Sequence, residues 1–537
     1  MKGFRKIRKT CRVAAREGIK YAWVDTCCID KTNSAELSEA INTMYKWYQN
    51  AKVCYVYLSD LRLPATALTV ADLGSLLRRC RWFSRGWTLQ ALIAPETVLF
   101  YQHDWRHVGN KTGWNKVLSD VTGISWPAIE SYVPAKYSIA ERMSWAAGRD
   151  TTREEDRAYC LLGIFDINLP MLYGEGAKAF RRLQEEIIRT GYDVSIFAWT
   201  RPVPDNQLSR PDADGPCGAF ANAPGEFHPI LATSLVESQG NEVSITNAGV
   251  KLTLELCLVR IGQNGALSRS YVLPIRKDSR VAKGHDKYAL GVALKKTYPG
   301  RFARTNIDKL VRIPRARMMR LIRCPGAYIA TDMPPRDLVP EYFNPFKFLF
   351  PQKGGRVVKA WPPDKWNDAK NSFMTSCDKE EYGSLLMEMK TPTLAGYDDG
   401  RSGEFMFLFS SRLHYDDTPI NPCDLQYTIV GYREHQLVLD ILNLRMGTGD
   451  IDVQEMRQTL VNFAIPSQQT AAVPIDESGQ YIYASVERGS TTDDADETIE
   501  DTIDMEPGLK YVYRWAERFA FTSSPVACEN EQQPRSV

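Results

Sequence analysis

The apolar positions of the first two hundred residues keep changing period. Phe4, Ile7, Cys11 and Ala14 stand three or four apart in a basic stretch, the spacing of one face of a surface helix. Residues 21–24 form a short apolar run that predicts a buried strand. Asn33 followed by Glu36 reads as a capping box. Leu37, Ile41, Met44, Tyr45 and Tyr48 then line one face of the next helix. Residues 53–58 (VCYVYL), β-branched and aromatic, predict a second strand, and residues 97–101 a third. Helical character fills 70–79 and 85–92 between them. Strands alternating with helices predict parallel pairing through right-handed crossovers, a small flavodoxin-like α/β sheet. Two more helices are expected over 154–162 and 176–189, the second with Phe180, Leu183 and Ile187 on its apolar face.

The period changes after residue 200. Residues 201–228 are rich in Pro, Gly, Asp and Ala and read as a linker. Strand patterns follow at 242–260, 271–276, 288–295, 404–413 and 425–432. The expected layout is an α/β core over 1–110, a helical extension over 111–200, and a β-rich, sandwich-like domain over 229–486. An acidic, apolar-poor loop at 487–508 reads as disordered, and a final strand with a loose tail occupies 509–537. No repeat of 20–50 residues is visible.

Composition narrows the function classes. The 537 residues carry a net charge of only +2, without the basic excess of a nucleic-acid binder. No run approaches the ~18 apolar residues of a membrane span. The basic N-terminus lacks the apolar core of a signal peptide. Twelve cysteines without a C-x-x-C pair point to buried thiols in a reducing compartment, and hence to a cytoplasmic protein. Nine of the twelve tryptophans precede residue 200, marking that part as one densely packed unit.

Ligands of open parallel sheets bind at the carboxyl ends of the strands. Asp25 and Asp60 each follow a predicted strand there. Two readings stand: a carboxylate pair that holds a ribose, a cation or a proton, or caps of the turns that follow. Cys27 and Cys28 share the loop with Asp25, but no His lies near to activate a thiol, so packing is the expected role. His103 and His107 stand four apart at a strand end, not on a helix, and no metal site is expected. Arg149, Arg153, Glu154, Glu155, Asp156 and Arg157 read as a solvated ion-pair face. There is no Walker A loop, no dinucleotide-type glycine fingerprint and no G-x-S-x-G. In Tyr173-Gly174-Glu175-Gly176 the glycines permit a tight turn, and Glu175 favours a helix N-terminus.

Three blocks together resemble the fungal heterokaryon incompatibility (HET) domain family over roughly residues 1–200. They are Tyr21-Ala22-Trp23-Val24-Asp25-Thr26-Cys27-Cys28-Ile29-Asp30, then Arg81-Trp82-Phe83-Ser84-Arg85-Gly86-Trp87-Thr88-Leu89-Gln90, then Glu155-Asp156-Arg157-Ala158-Tyr159 with the Tyr173–Gly176 signature. The resemblance implies non-self recognition and programmed cell death when unlike hyphae fuse. It also implies protein partners of that pathway, homo-oligomer formation and no cofactor. The family is remotely similar to TIR domains, some of which cleave NAD. That adds an enzyme alternative in which NAD is the substrate and Asp25 and Asp60 hold the ribose. A glutamate expected in the family's Trp-Thr-Leu-Gln-Glu-Leu run is Ala91 here, which argues against that chemistry. Members commonly open with a strand of the type Ala-Ile-Leu-Ser-His-Thr-Trp-Gly upstream of the Trp23 block, so an incomplete sheet is expected, and an inactive relative is a third reading. The second half resembles an uncharacterised region that often follows the HET domain.

Overall fold

The basic stretch Lys2–Arg16 forms helix α1 in the computed structural model, with Thr10 and Ala14 buried beneath it. The structure describes residues 2–64, 69–201, 216–227, 242–263, 266–275, 288–314, 317–318, 321–332, 343–349, 355–361 and 363–375. It further describes strands within 381–390, 402–413, 423–430, 470–474, 481–489 and 517–525. They fall into two units. One comprises Met1–Ile261, Ser270–Lys295 and Phe302–Met333; the other comprises Gly262–Arg269, Lys296–Arg301 and Pro334–Val537.

Helix α2 spans Ser34–Gln49, and the Asn33 side chain accepts the amides of Ala35 and Glu36. The return arm of the expected box is displaced: Glu36 Oε1 accepts the Asp30 amide at 2.9 Å, three residues before the cap. Strand β1 (Cys54–Tyr57) pairs in parallel with β2 (Val98–Tyr101), in register from Cys54 opposite Val98 to Tyr57 opposite Tyr101. Helices α3 (Val70–Arg78) and α4 (Thr88–Ile93) lie in the connection, the crossover that a parallel pair needs. A complete capping box starts α3, with Thr69 and Asp72 bonding each other's backbone amides.

The sheet departs from the sequence expectation in two places. Strand β3 (His107–Asn110) runs antiparallel to β2, because the 102–106 connection is a tight turn, too short for a crossover. That turn holds Trp105 at φ 69°, with its ring stacked on Tyr57 at 4.7 Å. The second correction concerns residues 21–24, which are not a strand. Tyr21 is 89% exposed, and the Val24 carbonyl closes a turn by accepting the amides of Cys27 and Cys28. A run this short needs a neighbouring ladder to hold it extended, and the sheet order is β1-β2-β3, with β1 at its edge.

Helices α5 (Asn115–Thr122), α6 (Trp126–Glu130), α7 (Ile139–Ser144), α8 (Asp156–Tyr159), α9 (Leu162–Phe165) and α10 (Lys178–Thr190) complete the N-terminal α/β region. The predicted helix over 154–162 is broken in two, and Asp166 ends the second piece in the left-handed region. Leu58, Leu77, Leu89, Leu92, Val98, Phe100 and Leu118 are fully enclosed between sheet and helices.

Beyond residue 216 the same unit continues. Ala221 exchanges two hydrogen bonds with Gln184 of α10, and Ala219 accepts the Trp199 indole N–H at 2.8 Å. Strands β4 (Ser244–Thr246), β5 (Gly249–Gln263), β6 (Ala266–Pro274), β7 (Tyr288–Tyr298), β8 (Arg301–Arg304), β9 (Val311–Pro314) and β10 (Ile322–Ile329) form a seven-stranded sheet. β10 pairs with both β8 and β5, so the sheet closes on itself and leaves those strands no free edge. Arg304 of β8 is buried against Trp199, its guanidinium 3.9 Å from the ring centroid.

The second unit carries a six-stranded sheet and a four-stranded antiparallel sheet. Strands Ser402–Leu413 and Cys423–Val430 stand where the sequence pattern places them. The final strand is Glu517–Pro525. Nearly all of the acidic 487–508 segment and the tail beyond 525 lie outside the described residues.

Candidate functional site

A groove of about 1940 Å³ opens along the free edge of β1. Its lining includes much of the segment from Ile19 to Thr32, residues Val53–Tyr57, and the apolar Ile41, Met44 and Tyr48 of α2. The polar part of the lining includes Asp25, Asp60, Arg81, Arg85, Asp150, Arg153, Asp156 and Tyr173. The structure therefore brings members of all three sequence blocks to one cavity.

Their roles differ. Among the described residues the Asp25 carboxylate, exposed on its turn, accepts no hydrogen bond. Asp60 is tied down: its Oδ2 accepts the Arg81 amide at 2.8 Å and fixes the turn that starts the second block. Burial, reinforced by the Asp60 charge, pushes the Cys80 thiol up to about 12. Trp23 packs on Trp47 and Tyr48 with ring centroids 5.2 and 5.7 Å apart. Asp30 Oδ1 accepts both the amide and the hydroxyl of Thr32, which holds the Asp30 carboxyl below the usual carboxylate range. Cys28 Sγ accepts the Val24 amide and lies 3.9 Å from Cys27 Sγ. Desolvation and the neighbouring Cys28 raise the Cys27 thiol, the opposite of what a thiolate nucleophile needs.

The second block is a wall. The Gly86 amide donates to the Asp150 carbonyl at 2.9 Å, and a Cβ on Gly86 would stand 2.6 Å from Thr151 Cγ2 and 2.9 Å from Cys160 Sγ. Only glycine lets these segments approach so closely. Trp82 meets Phe83 and Phe100 edge-on, and Trp87 packs against Ile29, Ala40 and Met44. The Arg85 carbonyl accepts Arg149 Nη1 at 3.0 Å. Ala91, buried at the wall, presents only a methyl group to the groove.

The signature Tyr173–Gly176 is a carboxylate cradle. Glu155 Oε1 accepts the amides of Gly174 and Gly176 at 2.7 and 3.1 Å; hydrogen bonding from its own amide first, and then from these two, holds its carboxyl below the usual range. Both glycines sit at positive φ, 104° and 59°. Glu175 accepts the Tyr159 hydroxyl and Arg182. The Tyr173 hydroxyl donates to Asp156 at 3.0 Å, and the Arg153 guanidinium lies over its ring at 4.3 Å.

This corrects the reading of residues 149–157 as a solvated ion-pair face. Glu155 and Asp156 are buried, and burial pushes Arg149 down to about 10. Sequence reasoning missed Glu155 and Arg149 because both partners are backbone groups of distant segments, which leave no mark on side-chain spacing. His103 and His107 are not side by side on a helix; His103 Nδ1 lies 3.2 Å from the Leu61 carbonyl and His107 opens β3. Among the described residues no cluster of three metal-ligating side chains exists.

The heterokaryon incompatibility protein (HET) family matches residues 4–71, which carry α1, the Trp23 loop, α2 and β1. A domain of unknown function, DUF8212, matches residues 178–236, from α10 onward. The vegetative incompatibility protein HET-E-1 of Podospora anserina is 47% identical over 190 residues, which is 34% of this chain. The match covers only 14% of that relative's length. No solved structure matches the chain. Residues 4–71, which supply much of the groove lining, are thus similar to the heterokaryon incompatibility family, and residues 178–236 to DUF8212.

Proposed function

We propose that the chain is a heterokaryon-incompatibility-type signalling protein that contributes to non-self recognition and programmed cell death in a fungus through its HET domain. The single observation that carries this reading is the 47% identity over 190 residues to a vegetative incompatibility protein. The signal passes to protein partners of the incompatibility pathway, with homo-oligomers of the chain as one assembled form, in the cytoplasm. Among the described residues no helix is long and apolar enough to cross a membrane. The N-terminal part is read as a TIR-like, flavodoxin-like α/β core, a reading supported by the parallel β1–β2 pair and its helical connection. The later strands support a β-rich second half, whose seven-stranded sheet closes on itself where a sandwich was expected. Induction of the full chain in a filamentous fungus tests the proposal: hyphal death supports it, and normal growth at full protein level overturns it.

The enzyme reading has one observation in its favour. Asp25 and Asp60 line the same groove, as a ribose-holding pair requires. Against it stand the Asp60 carboxylate already engaged by the Arg81 amide and a methyl group at Ala91. NAD consumption by purified chain, lost in Asp25→Ala with unchanged circular dichroism, would favour the enzyme; no consumption by folded chain would remove it.

A further inference from the structure

Helix α1 carries its charge on one side. Lys2–Arg16 holds seven Lys and Arg and no Asp or Glu, in a chain whose 67 basic and 65 acidic residues nearly balance. Gly3, Lys6, Thr10 and Ala14, three or four apart, share one face and line the groove. Arg5, Arg8, Lys9, Arg12 and Arg16 repeat that spacing on the opposite side, do not line the groove, and are all exposed. The basic face therefore points away from the groove, and its exposure does not depend on what the groove holds. From Arg5 to Arg16 it runs about 16 Å, at about 1.5 Å per residue. Among the described residues none of these five cations forms an ion pair. Arg5 with Lys9, Arg8 with Arg12, and Arg12 with Arg16 are like-charge pairs four residues apart, each of which weakens a helix. No acidic side chain occupies the first turn, so the cations there also oppose the helix dipole. Such a strip is complementary to a surface of dense negative charge. It has no aromatic side chain on which a base could stack, and the chain lacks the basic excess of a nucleic-acid binder. A flat array of phosphates offers a partner to all five cations at once, and arginine forks match phosphate oxygens in pairs.

We propose that the Arg5–Arg16 face of α1 docks on an anionic phospholipid surface, with the helix lying along the bilayer plane and its cations on the headgroup phosphates. The headgroups neutralise the repulsion within the helix, and no segment needs to cross the membrane. The proposal goes beyond the incompatibility reading and does not rest on it, since lipid binding is measured whatever the pathway.

The test is co-sedimentation of the full chain with vesicles of phosphatidylcholine containing about a third phosphatidylserine, beside vesicles of phosphatidylcholine alone. Binding to the anionic vesicles only is expected, and it should fall away as added salt shortens the screening length from about 10 to about 3 Å. Each cation near the surface contributes about fivefold, so the triple variant Arg5→Gln, Arg8→Gln, Arg12→Gln should bind about a hundredfold more weakly. That variant keeps helix formers at exposed positions and removes like-charge pairs, so its fold should hold. If its circular dichroism nevertheless changes, the salt series and the neutral vesicles decide on the unaltered chain. Equal binding to both kinds of vesicle, binding unmoved by salt or by the triple substitution in folded protein, or no binding at all overturns the proposal. A single-stranded oligonucleotide that displaces the chain from the vesicles, and whose own binding is lost in the triple variant, overturns the choice of a membrane in favour of nucleic acid.

Discussion

Glu141 shows how burial sets the behaviour of a single residue in this domain. Its side chain is buried in α7, and desolvation pushes its carboxyl up to about 7, only partly countered by Arg142. A carboxyl that binds its proton more tightly when folded lends stability below its unfolded value and loses it as pH rises through the folded value. Stability should therefore fall between pH 4.5 and about 7, by on the order of 3 kcal/mol if this group acts alone. Chemical denaturation at pH 5 and pH 8 reads this directly, and in Glu141→Gln the pH dependence over that window should shrink. An unchanged slope in that variant would remove Glu141 as its source.

Arg304 gives a second residue-scale prediction. Its Nη2 donates to the Trp199 carbonyl at 2.9 Å and its plane stacks on that ring, yet Nε and Nη1 are buried without partners. A desolvated cation–π contact contributes about 2 kcal/mol and the hydrogen bond about 1. Two unpaired buried donors cost about 1–3 kcal/mol each. The terms oppose each other, so the effect of Arg304→Met on stability should lie between a loss of about 1 kcal/mol and a gain of about 3 kcal/mol. A loss above about 4 kcal/mol in urea melts would mean that the guanidinium is far better satisfied than these contacts allow.

At the scale of elements, close approach rather than propensity decides how α9 meets α2. A Cβ at Gly163 would lie 2.1 Å from Tyr45 Cβ, so α9 and α2 meet where no side chain fits. Gly163→Ala should cost about 1–3 kcal/mol through forced separation of the two helices. Leu92→Ala, at a fully buried position of α4, should cost about 2–5 kcal/mol. Thermal melts rank both against an exposed control such as Lys116→Ala.

The elements also show what the sequence could and could not reveal. Helices α1, α2 and α3 and strands β1 and β2 were legible because each carries its own period. The capping box was legible as a pattern, but its return arm landed on Asp30, a choice made by the shape of the loop. The 21–24 run misled because an apolar run specifies burial or pairing only when a partner strand is present. The pattern over 154–162 is two short helices, Asp156–Tyr159 and Leu162–Phe165, separated at Cys160–Leu161. The antiparallel β3 escaped notice because its turn relies on a left-handed Trp105 braced by Tyr57 and Tyr101, a tertiary effect. Members of the three sequence blocks, among them Asp25, Asp60, Arg85 and Tyr173, line one cavity, while Asp30 and Gly174–Gly176 do not, and the separate contacts of each residue came from distant segments.

For the whole molecule, the N-terminal α/β region and most of the seven-stranded sheet share one unit. Gln184, Trp199 and Arg201 each bond to segments beyond residue 215, Arg201 through a paired contact with Glu226 at 2.7 and 3.0 Å. The groove beside β1 lies in this same unit. The measurement that tests the incompatibility reading most directly is hyphal viability after induction of the full chain, beside an Asp25→Arg variant altered only on the exposed turn at the groove mouth. Death with the unaltered chain and clear attenuation with Asp25→Arg, at equal levels of folded protein, is the predicted result. Normal growth in both cultures, or equal killing by both, would contradict the account.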